Sequence, residues 1–409
     1  MSLTKNSKTD CRHSDTDERR SLEIRWSTVI PNEFTSRKVR RKLDADGYLE
    51  TVRAAGDLLT RKRVGRRIFD PLVEHEYVQT LSRPRLKRRA VTMEVHDEPS
   101  PIPFVSVVDG GHVLTKTGLS LTADFEIIEE SAAEPKQAQQ AMMAMLSRQL
   151  FYGDFPIRGI LSGSRDFQDK SSAPLAGPVA PLIPRYPNYY HWMVETVPKI
   201  RYLRQFQSEC EAVTLLIPAD SPTFVQETLE RLSWPESQIM RAERGSYVVS
   251  KLVVPSYPDR RPTDFEWLRE EILEGAPDRV SGSSTNVYVS RANDIERRVV
   301  NEDEVLSVLS EFGFKRYRLE ERSLVENAQL FADADVIVGP HGAGLTDIVF
   351  AGDGTLIELF GEKVKKPYRL LADTVGVDYE AMYCSPNSTD ILVDTEELSK
   401  RIKDAFRND

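Results

Sequence analysis

Strand and helix patterns alternate between residues 286 and 360, and this alternation constrains the fold more than any other feature of the chain. The apolar runs that predict strands cover residues 286–290, 315–317, 336–338 and 355–360. Between them, Asn301 with Glu304 and Ser323 with Glu326 have the spacing of helix capping boxes. Such alternation is typical of a parallel sheet with right-handed crossovers, which binds ligands at the carboxyl ends of its strands.

The upstream half carries a second, less regular set of elements. Residues 104–114 predict strands with hairpin turns at Asp109-Gly110-Gly111 and Thr117-Gly118. Further helices are predicted for 134–150, 190–206, 222–232 and 264–273, and strands for 213–217 and 252–254. A polar linker follows at 275–285. The sequence therefore predicts an α/β protein in three parts: a basic, partly flexible extension at 1–94, a Rossmann-like domain at 95–280 and a second one at 281–409.

Composition and charge narrow the class of protein. The chain has 409 residues, 40% apolar and 29% charged, with only three cysteines, which excludes collagen-like, fully disordered and disulfide-stapled folds. The first 90 residues carry a net charge of +9 and the remainder −18. We expect the basic part to be either a solvated helix face or a contact with an anionic membrane, and the acidic body makes nucleic acid an unexpected partner. With no apolar run of 18 residues and no signal-like N-terminus, we expect a cytoplasmic protein, at most peripheral at the inner face of the cell membrane.

The segment Gly339-Pro340-His341-Gly342-Ala343-Gly344-Leu345 directly follows a predicted buried strand. Glycine lets the backbone approach a ligand closely, and the N-terminus of the helix that follows attracts anions. Because His341 adds a hydrogen-bonding imidazole, we interpret the segment as an anion-binding loop rather than an ordinary strand-to-helix turn. Its spacing matches neither a P-loop nor a dinucleotide fingerprint. Asp333-Ala334-Asp335 precedes its strand, whereas a metal-binding pair would follow it, so that no metal site is expected.

Ser290 and Arg291 end a predicted strand, and Arg297 and Arg298 come shortly after them. Guanidinium groups pair well with diphosphate oxygens, so Arg291 is a candidate phosphate ligand. Arg297 and Arg298 fit either that role or surface ion pairs. Glu358, at the end of the last apolar strand, is either a ligand for two ribose hydroxyls or a solvated strand end.

His191 and Glu195 are spaced i, i+4 on a predicted helix and therefore share one face of it. A histidine and a carboxylate that face a cleft can take a proton from a hydroxyl group. The alternative is structural, because Glu195 is also spaced for a surface ion pair with Lys199, and His191 can be a satisfied structural histidine. The residues alone leave both interpretations open.

Taken together, three blocks of the sequence resemble glycosyltransferase family 61. They are Asn188-Tyr189-Tyr190-His191-Trp192 with Glu195 and Pro198, Ser290-Arg291 with Arg297 and Asn301-Glu302, and the run from Gly339 to Thr346. The resemblance implies a GT-B-like fold, in which two Rossmann-like domains face each other across a cleft. It also implies an inverting mechanism and a nucleotide-sugar donor, usually UDP-linked, held by the C-terminal domain.

From this resemblance we expect metal-independent transfer of a sugar to a hydroxyl of a glycan or lipid-linked glycan, without a cofactor. Glu195 is the expected catalytic base, with His191 orienting or replacing it. The expected substrate-binding residues are Asn188, Ser290, Arg291, Arg297, Arg298, His341, Gly342, Ala343, Gly344, Leu345 and Glu358. Asp347 departs from the family, which commonly has Asn there, and it adds negative charge near the expected donor site.

Two other classes of function remain. A non-catalytic nucleotide-sugar or carbohydrate-binding protein of the same fold would bind the nucleotide and transfer nothing. A phosphoryl-transfer enzyme would require a divalent metal, and the sequence offers it neither a P-loop lysine nor a well-placed pair of carboxylates.

Overall fold

The computed structural model describes residues 48–49, 52, 91–92, 102–115, 118–123, 128–131, 174–276, 285–362 and 364–408. The chain divides into two compact units, Met1–Ala55 and Gly56–Asp409. In the first unit the described residues are Tyr48, Leu49 and Val52, which are helical and exposed. Most of the predicted basic extension, the predicted helix at 134–150 and most of the predicted linker lie outside the described residues. All elements named below belong to the second unit.

The first sheet contains seven strands of the described residues, in the order β1-β2-β7-β4-β5-β6, with β3 paired to β2. They are β1 (Val91–Thr92), β2 (Phe104–Leu114), β3 (Leu119–Thr122), β4 (Leu175–Pro181), β5 (Thr214–Pro218), β6 (Ile239–Ala242) and β7 (Ser246–Pro255). β7, β4, β5 and β6 pair in parallel, whereas β1, β2 and β3 pair antiparallel. The sheet is therefore mixed, and the carboxyl ends of its parallel strands lie along one edge.

The predicted turn at Asp109-Gly110-Gly111 is wrong. β2 continues through these residues and pairs with β7 in one register, from Val105 opposite Pro255 to Leu114 opposite Ser246. A β-carbon on Gly111 would lie 2.6 Å from the carbonyl oxygen of Leu121, so that this glycine permits close strand packing. β2 and β3 pair as a hairpin, and Gly118 lies in the connection between them, as predicted, whereas Thr117 lies outside the described residues.

Four helices belong to the first sheet: α1 (Tyr189–Glu195), α2 (Pro198–Glu209), α3 (Thr223–Arg231) and α4 (Pro262–Leu273). The single helix predicted at 190–206 is therefore two helices. Pro198 has no N–H to donate within a helix and is favoured at a helix start, so α2 begins there, and α1 ends at Glu195 with Thr196 as its C-cap. The side chains of Met193, Val197 and Ile200, on both sides of this break, are fully buried.

The predicted parallel sheet in the second half is confirmed. Its strand order is β12-β11-β10-β8-β9, with all neighbours parallel. The strands are β8 (Asn286–Val289), β9 (Phe314–Tyr317), β10 (Val336–Pro340), β11 (Thr355–Phe360) and β12 (Asp378–Tyr383), and β13 (Ser385–Asn387) and β14 (Asp390–Leu392) form a separate hairpin. The α-helices are α5 (Glu302–Glu311), α6 (Leu324–Ala332), α7 (Pro367–Val375) and α8 (Thr395–Asn408). Short 3-10 helices cover Glu129–Ser131, Glu236–Gln238, Leu319–Glu321 and Ala343–Phe350.

Of the two predicted capping boxes, one forms. Ser323 and Glu326 exchange the two expected hydrogen bonds at the start of α6. Asn301 does precede α5, but its side-chain amide bonds both backbone groups of Val393 instead of capping the helix. Asn301 thus connects α5 to the segment that leads into α8. Its amide has both a donor and an acceptor, so it can bond the N–H and the carbonyl of an extended residue as well as the N–H groups at a helix start.

The helices of both sheets share one apolar core. Trp192 of α1 and Phe265 of α4 belong to the same buried cluster as Leu345 and Phe350 of the second half. Among the described residues, no helix combines the length and the apolar character needed to cross a membrane. The chain is a mixed α/β protein with parallel strands, and its division into two GT-B domains stays a prediction.

Candidate functional site

The glycine segment lies at the carboxyl edge of the second sheet. It leaves β10, which lies between β8 and β11, and the backbone N–H of His341 donates to the carbonyl of Leu359 at 3.0 Å. Arg291 follows β8 at the same edge. A β-carbon on Gly342 would overlap the Arg291 guanidinium, so only glycine lets this group lie against the backbone of the loop. The sequence-predicted Arg291 and the glycine loop are therefore in contact.

Arg291 and Arg297 form a pair of neighbouring cations beside the loop. Burial and the positive charge of Arg297 together lower the pKa of Arg291. The Nε–H groups of both arginines are buried, and neither has a hydrogen-bond partner among the described residues. Arg297 has φ of +63°, a backbone conformation that residues other than glycine rarely adopt. Asp294 offsets part of the charge through its 3.0 Å ion pair with Arg291. Two adjacent cations at a strand edge favour an anionic ligand.

His341 forms a buried unit with a glutamate and a tyrosine. Its Nδ1 lies 2.5 Å from Glu358 Oε1, and the hydroxyl of Tyr379 donates to Glu358 Oε2 at 2.7 Å. Glu358 is fully buried, and the His341 ring stacks on Phe360 with ring centroids 5.4 Å apart. Both carboxylate oxygens of Glu358 are thus engaged inside the protein, and the residue lies behind His341.

His191 forms a second unit of the same composition. Its Nδ1 lies 2.7 Å from Glu195 Oε2, and the hydroxyl of Tyr257 donates to the same oxygen at 2.5 Å. Burial raises the pKa of Glu195, but the bonds to His191 and Tyr257 and the charge of Lys199 outweigh it, and the net shift is downward. The predicted i, i+4 pair on α1 therefore exists, and its carboxylate is held in the ionised form.

A surface ion pair with Glu195 would require an exposed Lys199, but this residue is not at the protein surface. Its side chain is buried, with Nζ 4.5 Å from the centroid of the Tyr257 ring. Burial lowers the pKa of Lys199 to about 8, and the negative charge of Glu195 opposes this shift. A buried ammonium group beside the His191 unit makes the local field around Glu195 positive.

Aromatic rings connect the two histidines. The ring of Tyr190 lies 5.4 Å from that of His191, and the ring of Tyr368 lies 5.3 Å from that of His341. Tyr190 and Tyr368 meet edge to face, with centroids 5.6 Å apart. Tyr368 also interacts electrostatically with Arg291 and with Arg297. The contacts thus run from His191 through two tyrosines to His341 and the arginine pair.

A buried hydrogen bond also joins the first and third sequence blocks. The hydroxyl of Tyr189 in α1 donates to Asp347 Oδ1 at 2.5 Å. Asp347 is buried in the 3-10 helix that follows the glycine segment, and burial raises its pKa to about 7. The carboxyl that departs from the family pattern therefore bonds to a tyrosine of the first block.

The remaining predicted residues have partners within the protein or shape the loop. The Ser290 hydroxyl donates to Glu302 at 2.7 Å, and the Asn188 side chain caps α1 by accepting from the His191 N–H at 3.1 Å. The Arg298 guanidinium bonds Asp390, with its closest contact at 2.6 Å. Ala343 and Gly344 begin the 3-10 helix, and Leu345 is fully buried in the core.

Sequence reasoning missed three tyrosines that complete the site: Tyr257, Tyr368 and Tyr379. Tyr257 follows β7, and Tyr368 lies in the segment after β11, so both occupy the carboxyl edges where ligands bind in such sheets. That rule could have drawn attention to them. Tyr379 lies within β12, and only the register of β12 with β11 brings it near Glu358.

Comparisons with known proteins match the part of the chain that carries these units. Residues 189–357, from α1 to β11, match the family described as Glycosyltransferase 61. A beta-1,2-xylosyltransferase of Arabidopsis thaliana is 28% identical over 124 residues. That similarity covers 27% of this chain and 23% of the plant protein, so the chain spans less than a quarter of that relative's length.

Proposed function

Because residues 189–357 match the glycosyltransferase 61 family, we propose that this chain is a member of that family and transfers a sugar from a nucleotide-sugar donor to a hydroxyl group of a glycan. The transfer inverts the configuration at the anomeric carbon. The observation that carries this proposal is the convergence of Arg291, Arg297 and His341 on one glycine loop at the carboxyl edge of the parallel sheet.

The donor diphosphate binds at this edge. Arg291 and Arg297 present buried Nε–H groups that no other described residue bonds, and a diphosphate supplies the negative charge that two neighbouring guanidinium groups attract. The same contacts stabilise the nucleoside diphosphate as it departs, when its negative charge is greatest. Arg298 is left out of this site, because its guanidinium is bonded to Asp390. Glu358 supports His341 and does not contact the ribose.

The acceptor binds at the other end of the aromatic series, beside His191 and Glu195. A base at that end removes the proton of the acceptor hydroxyl as the oxygen attacks the anomeric carbon. Base and leaving group then lie on opposite sides of the sugar, which is the arrangement that an inverting displacement requires. The tyrosines between the two histidines, Tyr190 and Tyr368, line the space that the transferred sugar occupies.

The finer assignments follow from the family. UDP is the proposed donor nucleotide, and the similarity to a protein named as a xylosyltransferase makes UDP-xylose the first donor to test. The guanidinium pair takes the place that a divalent cation has in other sugar-transfer enzymes, so we propose that transfer requires no metal. The proposed acceptor is a glycan or lipid-linked glycan on the cytoplasmic side of the membrane.

A thermal-shift panel tests the donor site. UDP, GDP, CMP and dTDP are added without metal to the wild type, to Arg291→Ala and to Arg244→Ala, a control at an exposed arginine paired with Asp220. A ligand at 100 times its dissociation constant stabilises a protein by about 2.7 kcal/mol, which is a readily measured shift. One nucleotide should stabilise the wild type and the control but not Arg291→Ala. Equal stabilisation of all three proteins would contradict the proposed site.

A further inference from the structure

The base in this site can be identified from the hydrogen bonds of Glu195. One oxygen of this carboxylate accepts from His191 at 2.7 Å and from Tyr257 at 2.5 Å. Lys199, buried against the Tyr257 ring, adds a positive charge nearby. Each of these contacts stabilises the anionic carboxylate, and a stabilised anion is a weak proton acceptor. The contacts of Glu195 are therefore those of a group that orients a neighbour.

The same contacts fix the proton on the ring of His191. An ionised carboxylate only accepts hydrogen bonds, so the His191 Nδ1 beside Glu195 must carry the hydrogen. In the neutral ring the lone pair is then on Nε2, the nitrogen that points away from Glu195. The side chain keeps 22% of its surface exposed, between the rings of Tyr186 and Tyr190. The ring is therefore open in part to an approaching hydroxyl group.

The second histidine unit shows that this arrangement recurs for a different task. His341 also places Nδ1 on a glutamate that a tyrosine holds, at 2.5 Å. Its ring is buried and lies beside Tyr368, which adjoins the arginine pair. With Nδ1 occupied, His341 can donate to a phosphate oxygen only through a protonated Nε2. In both units Nε2 is thus the ring nitrogen left for a ligand.

We propose that His191 Nε2 is the catalytic base, and that Glu195, held by Tyr257 and Lys199, is its positioning residue. This inference rests on the proposed sugar transfer. The acceptor oxygen forms a bond to the anomeric carbon while its proton moves to His191 Nε2. The bond between that carbon and the diphosphate oxygen breaks, and its electron pair leaves with the nucleoside diphosphate. His191 then releases the proton to solvent.

The first test reads the tautomer directly and needs no turnover. Two-bond proton–nitrogen NMR spectra of the full chain with labelled histidine resolve six side chains, and His191→Gln assigns one of them. We expect the neutral His191 ring to carry its hydrogen on Nδ1, and Glu195→Gln to shift the population towards the other tautomer. A hydrogen on Nε2 in the wild type would overturn the proposal. Nucleotide binding is measured on the same samples, so a missing nucleotide response counts against the proposed function and a wrong tautomer against this inference.

The second test uses the pH profile of transfer. The charged and titratable groups around the ring are Glu195, Lys199, Arg185, Arg260, Tyr186, Tyr190 and Tyr257. His191→Ala should lose about 10²- to 10⁴-fold in kcat, the contribution of a general base, and added imidazole should restore part of it. Glu195→Gln should keep measurable turnover, with the acidic limb of its kcat/KM profile moved to lower pH. Turnover that survives in His191→Ala but disappears in Glu195→Gln would make Glu195 the base.

Tyr257→Phe tests the positioning role with a matched control. It removes one hydrogen bond to the Glu195 carboxylate, so we expect kcat to fall about tenfold and the acidic limb to move. Tyr202→Phe removes an equally short, buried tyrosine–carboxylate bond, at 2.5 Å to Asp264, away from the site. If both variants change kcat and the profile alike, the effect is structural and the positioning role is refuted.

Discussion

The buried ammonium group of Lys199 should reduce the stability of the folded chain, and its removal should raise that stability while it weakens catalysis. Lys199 is 9% exposed, and burial lowers its pKa from an ordinary value of 10.5 to about 8. Methionine has a similar length and flexibility without the charge. We therefore expect Lys199→Met to unfold at a higher temperature than the wild type at pH 7.

The magnitude follows from proton linkage. A tenfold change in proton affinity corresponds to 1.36 kcal/mol, so the lowered pKa represents a cost of about 3 kcal/mol to the folded state. Between pH 8 and pH 10.5 the unfolded chain binds more protons than the folded chain, and the stability of the wild type therefore rises with pH. The advantage of Lys199→Met should be full at or below pH 7 and should shrink to about 1 kcal/mol at pH 9.5.

Calorimetry of the wild type and Lys199→Met from pH 7 to pH 9.5 measures this difference. Lys400→Met, at an exposed lysine of α8, controls for the general effect of removing a positive charge. Because the charge of Lys199 also lowers the pKa of Glu195, Lys199→Met should reduce kcat as it raises Tm. A variant less stable than the wild type at pH 7, or an advantage that is constant across this pH range, would refute the reasoning.

Two further predictions concern the glycine loop. Burial raises the pKa of Asp347 from 3.8 to about 7, so the folded chain binds more protons than the unfolded chain between these values and loses stability as the pH rises. Asp347→Asn should therefore stabilise the protein by up to about 4 kcal/mol at pH 8. Thermal unfolding at several pH values should show this gain in stability fall towards zero near pH 4. A gain that does not depend on pH would contradict the prediction. Gly342→Ala should displace the Arg291 guanidinium and remove the nucleotide-dependent thermal shift. Gly352→Ala should keep that shift, because its β-carbon would make only an ordinary contact, 3.7 Å from Arg269 Nη1. Retained binding in both variants would show that the contact between Gly342 and Arg291 is dispensable.

Much of the fold could be predicted because its signals are local. The strands of the second sheet are short apolar runs, and Ser323 with Glu326 forms its helix start from four consecutive residues. The predictions failed where a distant partner decides the structure. Asn301 could cap α5, but Val393, 92 residues away, takes its side chain. The strand through Gly110 continues because β7 pairs with the residues on both sides of this glycine, which no local turn propensity reveals.

In the candidate site, too, local contacts could be predicted from sequence and distant ones could not. His191 and Glu195 could be paired from sequence because four residues separate them on one helix, and the contact follows from helical geometry alone. Tyr257 and Tyr379 could not, because the tertiary fold and the strand register bring them to Glu195 and Glu358. The tyrosines that complete the hydrogen bonding of each glutamate are therefore the residues that sequence spacing hides.

Asp347 shows why a departure from a family pattern has to be interpreted from its contacts. From sequence, its carboxyl adds negative charge beside the expected donor phosphates, which would weaken their binding. In the structure the side chain is buried, bonded to Tyr189, and has a pKa near 7, so that it is partly neutral at physiological pH. A neutral carboxyl, like the amide of asparagine, offers both a donor and an acceptor. The substitution thus keeps the hydrogen-bonding capacity of the position, and the link it makes joins α1, which carries the proposed base, to the loop that carries the proposed phosphate site.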